Sequence, residues 1–192
     1  ANGVLNFELS EKPEALEEVV IHARREDENV NEVFTGIAKL NITEIKRMPA
    51  FMGEVDVLKA IQLLPGVKSA GEGNSGFYVR GGGPDQNLIL LDEAVVYNAS
   101  HLFGFFSVFN SDAIKNISLT KGGMPAQYGG RLSSVLDVSM KDGNMNAYQY
   151  EGGIGSIASR FSLQGPIKKD KSSFMISSRR TYIDALIKPF IK

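Results

Sequence analysis

Cysteine is absent from the 192 residues, which removes disulfides, thiolate catalysis and thiolate zinc sites at once, and is neutral about compartment. Tryptophan is absent too, and the two histidines, His22 and His101, are isolated from each other, so a histidine-based metal site lacks ligands. No stretch approaches the ~18 consecutive apolar residues of a membrane-spanning helix, and no charged start leads into an apolar export signal. The formal net charge is -1, which gives no global attraction to nucleic acid. That charge is unevenly placed. Residues 1–33 are acidic and residues 159–192 basic, so the two ends expect different surroundings. A chain of this length supports one domain with a real core, or one domain plus part of another.

Near the start, VLNFELS reads as the last strand of a sheet whose other strands are missing, which suggests that the chain begins mid-protein. After Pro13, ALEEVVIHARRED is a β-branched run bracketed by charge inside a polar, mobile stretch. GIAKLNI is a candidate strand, and Thr43 is a candidate N-cap for one turn of helix ended by Pro49. Val55, Leu58, Ile61 and Leu64 recur at helical spacing, predicting an amphipathic helix over 54–64 that Pro65 and Gly66 stop. GEGNSG, at 71–76, then has the G-x-G-x-x-G spacing of a dinucleotide loop. It follows a helix and precedes the alternating GFYVRGG, the reverse of the strand-to-helix order that lets a helix N-terminus hold a pyrophosphate.

NLILLDEAVVYN suits a buried strand running into a hairpin through Asp92 and Glu93, two adjacent carboxylates that make a poor acid/base pair. The aromatic loop HLFGFFSVF follows, then one helical turn at NSDAI capped by Asn110 or Ser111, and strands at IKNISLTKGG and LSSVLDVSMKDG. In the last third, YQYEGGIGSIASRFSLQG alternates with a phase slip near Gly155 and Ser156, as at a bulge. A polar turn leads to SFMISSRRTYI, which alternates again. Two long strands with a tight turn have the texture of a transmembrane β-barrel hairpin, with two ordinary strands of a soluble sheet as the alternative.

LLPGVKSAGEGNSGFYVRGGGPDQNLILLDEAVV followed by IKNISLTKGGMPAQYGGRLSSVLDVSMKDG resembles, over residues 37–142, the plug domain of TonB-dependent outer-membrane receptors. LEEVVIHA resembles a TonB box, and VLNFELSEKPEALEEVVI resembles the tail of the carboxypeptidase-regulatory-like domain that precedes the plug in many Bacteroidetes receptors. Two departures stand out. Glu93 occupies a turn position where the family commonly has Gly, and Gln127 precedes the YG pair where an arginine is frequent.

The resemblance implies an α/β (α+β) plug domain with a mixed β-sheet and short helices at 36–145. It is preceded by the end of a regulatory-like domain at 1–12 and a linker with the TonB box at 13–35, and followed at 146–192 by the first strands of a transmembrane β-barrel. Three or so strands cannot close such a barrel, because open edges would leave backbone groups unpaired in lipid. The implied role is gating the energy-coupled uptake of a scarce nutrient (siderophore, vitamin, glycan or peptide) at the outer membrane, with no enzymatic step and no cofactor. The implied partners are TonB on the periplasmic side, the receptor's own barrel, the nutrient, and the membrane through the barrel only. TonB would be met by Glu17, Glu18, Val19, Val20, Ile21, His22 and Ala23. Ligand-facing loops would present Glu72, Asn74 and Ser75, then Tyr97, His101 and Phe103, with Phe105 and Phe106 able instead to pack the core. Arg80 and Arg131 would contact the barrel, Arg80 through carboxylates of its wall. A nucleotide-binding enzyme using GEGNSG and a non-transporting structural β-domain are the competing classes.

Overall fold

The computed structural model describes residues 36–48, 54–71, 74–101, 104–155 and 157–182. The expected regulatory-like tail, the TonB-box residues Glu17 to Ala23, and Glu72 and Phe103 lie outside them.

A mixed five-stranded sheet forms the centre, built from β1 (Ile37–Asn41), β8 (Ile114–Thr120), β9 (Ser134–Met140), β4 (Asn87–Leu91) and β5 (Ala94–Val95), in that spatial order. The β4–β9 pair is parallel and the rest are antiparallel. Strand β4 is covered on both faces, as its continuous apolar run requires. Leu88 and Leu90 pack with Val135 on one side, and Ile89 and Leu91 join the main core on the other. Leu119 and Leu136 face each other across β8 and β9 and are fully buried, each stabilising the fold by about 2 kcal/mol.

Two short helices seal that core. Helix α1 (Ile42–Lys46) buries Ile42 and Ile45; its N-cap is Asn41, whose side chain accepts from Thr43 N at 2.9 Å, rather than Thr43 itself. Helix α2 (Val57–Ile61) buries Val57, Leu58, Ala60 and Ile61 and is shorter than the 54–64 expectation. Asp56 starts it by accepting from Leu58 N and Lys59 N, so residues 54–56 stay extended, and beyond Ile61 the chain tightens into turns before Pro65 and Gly66.

GEGNSG joins β2 (Val67–Ser69) to β3 (Phe77–Val79), an antiparallel pair, so no helix follows it and no dinucleotide cradle forms. The β4–β5 hairpin turns through Asp92 and Glu93 at φ 45 and 68, the left-handed pair that a two-residue turn matching strand twist demands. These carboxylates therefore sit on a turn, not along a strand. NSDAI forms a hydrogen-bonded turn in which the Asn110 side chain accepts from Asp112 N at 3.1 Å.

The C-terminal part is a separate antiparallel sheet of three strands, β10 (Gln149–Ile154), β11 (Ala158–Lys168) and β12 (Ser172–Thr181). The phase slip expected to be a bulge is a chain reversal. Ile154 pairs back with Ser159, and Gly155 N donates to Ala158 O at 2.8 Å. A bulge and a tight reversal both reset a period-two pattern, and this reversal lacks an Asn-Gly or Asp-Gly signature. Alternation leaves Tyr150, Ile154, Phe161 and Ile176 exposed on one face, with Glu151, Arg160, Ser162 and Arg179 turned the other way. On the apolar face Tyr148 lies over Gly165, where an added Cβ would collide with its ring.

Candidate functional site

The two loops singled out in the sequence come together. Ser75 is fully buried, and its N–H (2.6 Å) and Oγ (2.5 Å) both donate to Gly104 O. Gly104 adopts φ +89, and an added Cβ would stand 3.1 Å from Asn74 Oδ1, so this junction suits glycine. Asn74 caps its own turn by accepting from Gly76 N at 2.8 Å, and Gln62 donates to Asn74 O and Gly76 O. Ser75 thus holds the loops to each other and Asn74 shapes its own turn beside Gly104, while Tyr97, 87% exposed, projects outward. His101 packs against buried Phe106, their centroids 6.1 Å apart; Phe105 is exposed, so the two phenylalanines divide between the packing and surface roles.

Behind the aromatic loop lies a charged layer that the sequence reading did not single out. Asp112, fully buried, is 2.9 Å from Lys46 Nζ and 3.0 Å from Arg160 Nε, joining helix α1 to strand β11. Neither contact has hydrogen-bond geometry, so the attraction of Asp112 for both cations is ionic. Lys46 also donates to Glu151 on β10 at 2.7 Å. Burial works against the Lys46 charge, but the close carboxylates of Asp112 and Glu151 outweigh it and hold the ammonium pKa above its ordinary value. Nearby, burial and then the Lys46 charge push Lys141 down.

Arg179 on β12 makes the second link. Its guanidinium, 11% exposed, donates to Ser107 O and to Phe109 O (3.1 Å) and lies 3.7 Å from Glu54, itself buried. It walls a cleft of about 460 Å³ lined also by Leu91, His101, Phe109 and Ile114. From the other side Asp56 Oδ2 accepts from Ser107 N at 2.6 Å. The signal in the sequence was the phase of β12: adjacent Arg179 and Arg180 must face opposite ways, so one of them turns away from the apolar face.

Arg80 follows β3 at φ 48 with an exposed side chain whose guanidinium lies over Gly122 and Gly36; among the described residues no carboxylate forms an ion pair with it. Arg131 is exposed and donates to Gly130 O at 3.2 Å. Among the described residues no group of three or more His, Cys, Asp or Glu side chains is placed to hold a metal ion.

The sequence pattern of the TonB-dependent Receptor Plug Domain matches residues 39–135, half of the chain, running from within β1 to the start of β9. The chain belongs to this plug family. Two solved structures share the fold. The siderophore receptor PirA from Pseudomonas aeruginosa superposes with a TM-score of 0.53 at 22% identity, over 77% of this chain and 29% of its own. The ferric enterobactin receptor PfeA from Pseudomonas aeruginosa, a mutant in complex with enterobactin, gives 0.55 at 20% identity, over 75% and 24%. Among curated proteins, none matches the sequence. The chain spans about a quarter of the length of these receptors, and the plug is the part of the family that it contains.

Proposed function

We propose that the plug gates TonB-coupled uptake of a nutrient through an outer-membrane barrel whose first strands are β10 to β12. The observation that carries this reading is the two-faced C-terminal sheet. Its one face exposes Tyr150, Ile154, Phe161 and Ile176, which water does not favour and lipid does; its other face is polar and docks on the plug through Arg160 and Arg179. Tyr148 and Phe174, 6.2 Å apart, lie near the short charged turn at 169–171, as amphipathic rings do at a membrane–water boundary.

In this reading the nutrient meets the surface around Tyr97 and His101, with Glu72 and Phe103 completing the two loops, and Asn74 and Ser75 fixing their spacing. Aromatic rings beside polar groups suit a flat, partly apolar ligand. Both structural neighbours are receptors named for siderophores, so a ferric siderophore is the first ligand class to test. TonB takes the segment Glu17 to Ala23 as an added strand, with main-chain hydrogen bonds supplying much of the affinity. Arg80 and Arg131, exposed here, meet the remaining barrel wall.

The experiment is uptake by the complete receptor in cells with and without TonB, using labelled ferric siderophores, cobalamin, an oligosaccharide and a peptide as probes. TonB-dependent uptake of one of them supports the reading. A receptor that accumulates none, and whose C-terminal sheet stays in the soluble fraction, overturns it in favour of a structural β-domain.

A further inference from the structure

The peptide of Ser107 is held from both sides. Its N–H donates to Asp56, the residue that caps helix α2, and its carbonyl accepts from Arg179 on strand β12. Arg179 also reaches Phe109 O, so its planar fork spans two carbonyls two residues apart, a task that a lysine's single ammonium does not match. Buried arginines are expensive unless hydrogen-bonded, and the Glu54 carboxylate stands back at 3.7 Å, so the backbone carbonyls are the close acceptors.

Ser107 belongs to β7 (Phe106–Ser107), which pairs with β6 (Ser100–His101), and Val108 N donates to Ala99 O. Gly104, three residues earlier, is the atom-level junction with the GEGNSG loop. Fixing Ser107 therefore fixes the strand pair that carries His101 and that follows the exposed Tyr97. Arg160, directly opposite Arg179 in the strand ladder, docks the same sheet through Asp112 and, among the described residues, makes no hydrogen bond or ion pair with this loop.

We propose that Arg179 is a positioning residue for the aromatic loop: with Asp56 it clasps the Ser107 peptide, so that the loop's shape is set jointly by helix α2 and the C-terminal sheet. As a claim about specificity this rests on the reading that the loop meets the nutrient; as a claim about geometry it does not. A movement of either element then reaches the loop through the Ser107 peptide that both hold.

The test is hydrogen exchange over residues 104–109 in the complete, ligand-free receptor, compared among wild type, Arg179→Gln, Arg179→Lys and Arg160→Gln, with melting temperature recorded for each. The expected result is exchange at least tenfold faster in Arg179→Gln, an intermediate rise in Arg179→Lys, and wild-type exchange in Arg160→Gln even where its melting temperature falls. If Arg179→Gln fails to assemble, the rise in Arg179→Lys carries the test. Equal exchange in the Arg179 and Arg160 variants, or no change in the Arg179 variants, overturns the proposal and leaves Arg179 a docking residue only. No ligand enters this measurement, so a failure to find the transported nutrient sinks the functional reading without touching this result.

Discussion

Arg160 and Arg179 stand directly opposite each other on β11 and β12, and each reaches a different buried carboxylate of the plug, Asp112 at 3.0 Å and Glu54 at 3.7 Å. Like charges directly across a ladder are destabilising by themselves. Here the pair is tolerable because the plug supplies the opposite charges, and the same arrangement docks the C-terminal sheet in one place. Sheet and plug are therefore electrostatically dependent on one another at this face.

Asp112→Asn should be costly. It leaves Lys46 and Arg160 facing a neutral amide in a buried position, and because both cations still reach some solvent the loss should sit at the low end for a broken buried pair, about 3 kcal/mol. Urea unfolding of the single variants and of Asp112→Asn with Arg160→Gln checks this. The double variant should lose clearly less than the sum, as for any directly coupled pair; additive losses would mean that the contact contributes nothing.

Glu93→Gly should stabilise the plug by about 1 kcal/mol. Glu93 is held at φ 68, where an L side chain meets its own backbone and glycine does not. The substitution also removes a negative charge that bears on Asp137. Thermal unfolding reads the gain, and a lower melting temperature would show that the turn is set by something other than the backbone.

Asp137 sets a pH dependence. Burial, and then the charges of Glu93 and Asp92, hold its carboxyl above the usual range. Such a group binds more protons folded than unfolded between its two pKa values, so stability falls as pH rises through that window and stays lower above it. Asp137→Asn should therefore stabilise the chain at pH 7, with the advantage shrinking to nothing as pH drops below the ordinary carboxylate range. Urea midpoints measured across that range decide it, and an advantage that grows on acidification would be the wrong sign.

Much of the fold was legible because the signals were local. The apolar run of β4 and the two loops each follow from a few neighbouring residues, and the strand pattern after GEGNSG excluded the helix that a dinucleotide loop must open, although a strand, β2, rather than the expected helix precedes it. The helix limits and the reversal between Ile154 and Ser159 were harder. Asp56 is both a cap and the partner of a residue 51 positions away, and one phase slip fits a bulge or a turn equally well. The charged layer was not legible. Asp112, Glu54, Arg160 and Arg179 are scattered singly through the chain, and only the packing of two sheets brings them within ion-pair distance.

The measurement that bears most directly on the central claim is the affinity of the periplasmic domain of TonB for the complete receptor, titrated against wild type, Val20→Ala and Val20→Pro. If the segment Glu17 to Ala23 joins a sheet edge of TonB, proline at position 20 removes a backbone donor and fixes φ poorly for a ladder, while alanine keeps the backbone. The account predicts measurable binding by wild type, modestly weaker binding by Val20→Ala, and none by Val20→Pro, with unchanged melting temperature in all three. Undiminished TonB binding by Val20→Pro, or no binding by wild type, would contradict it.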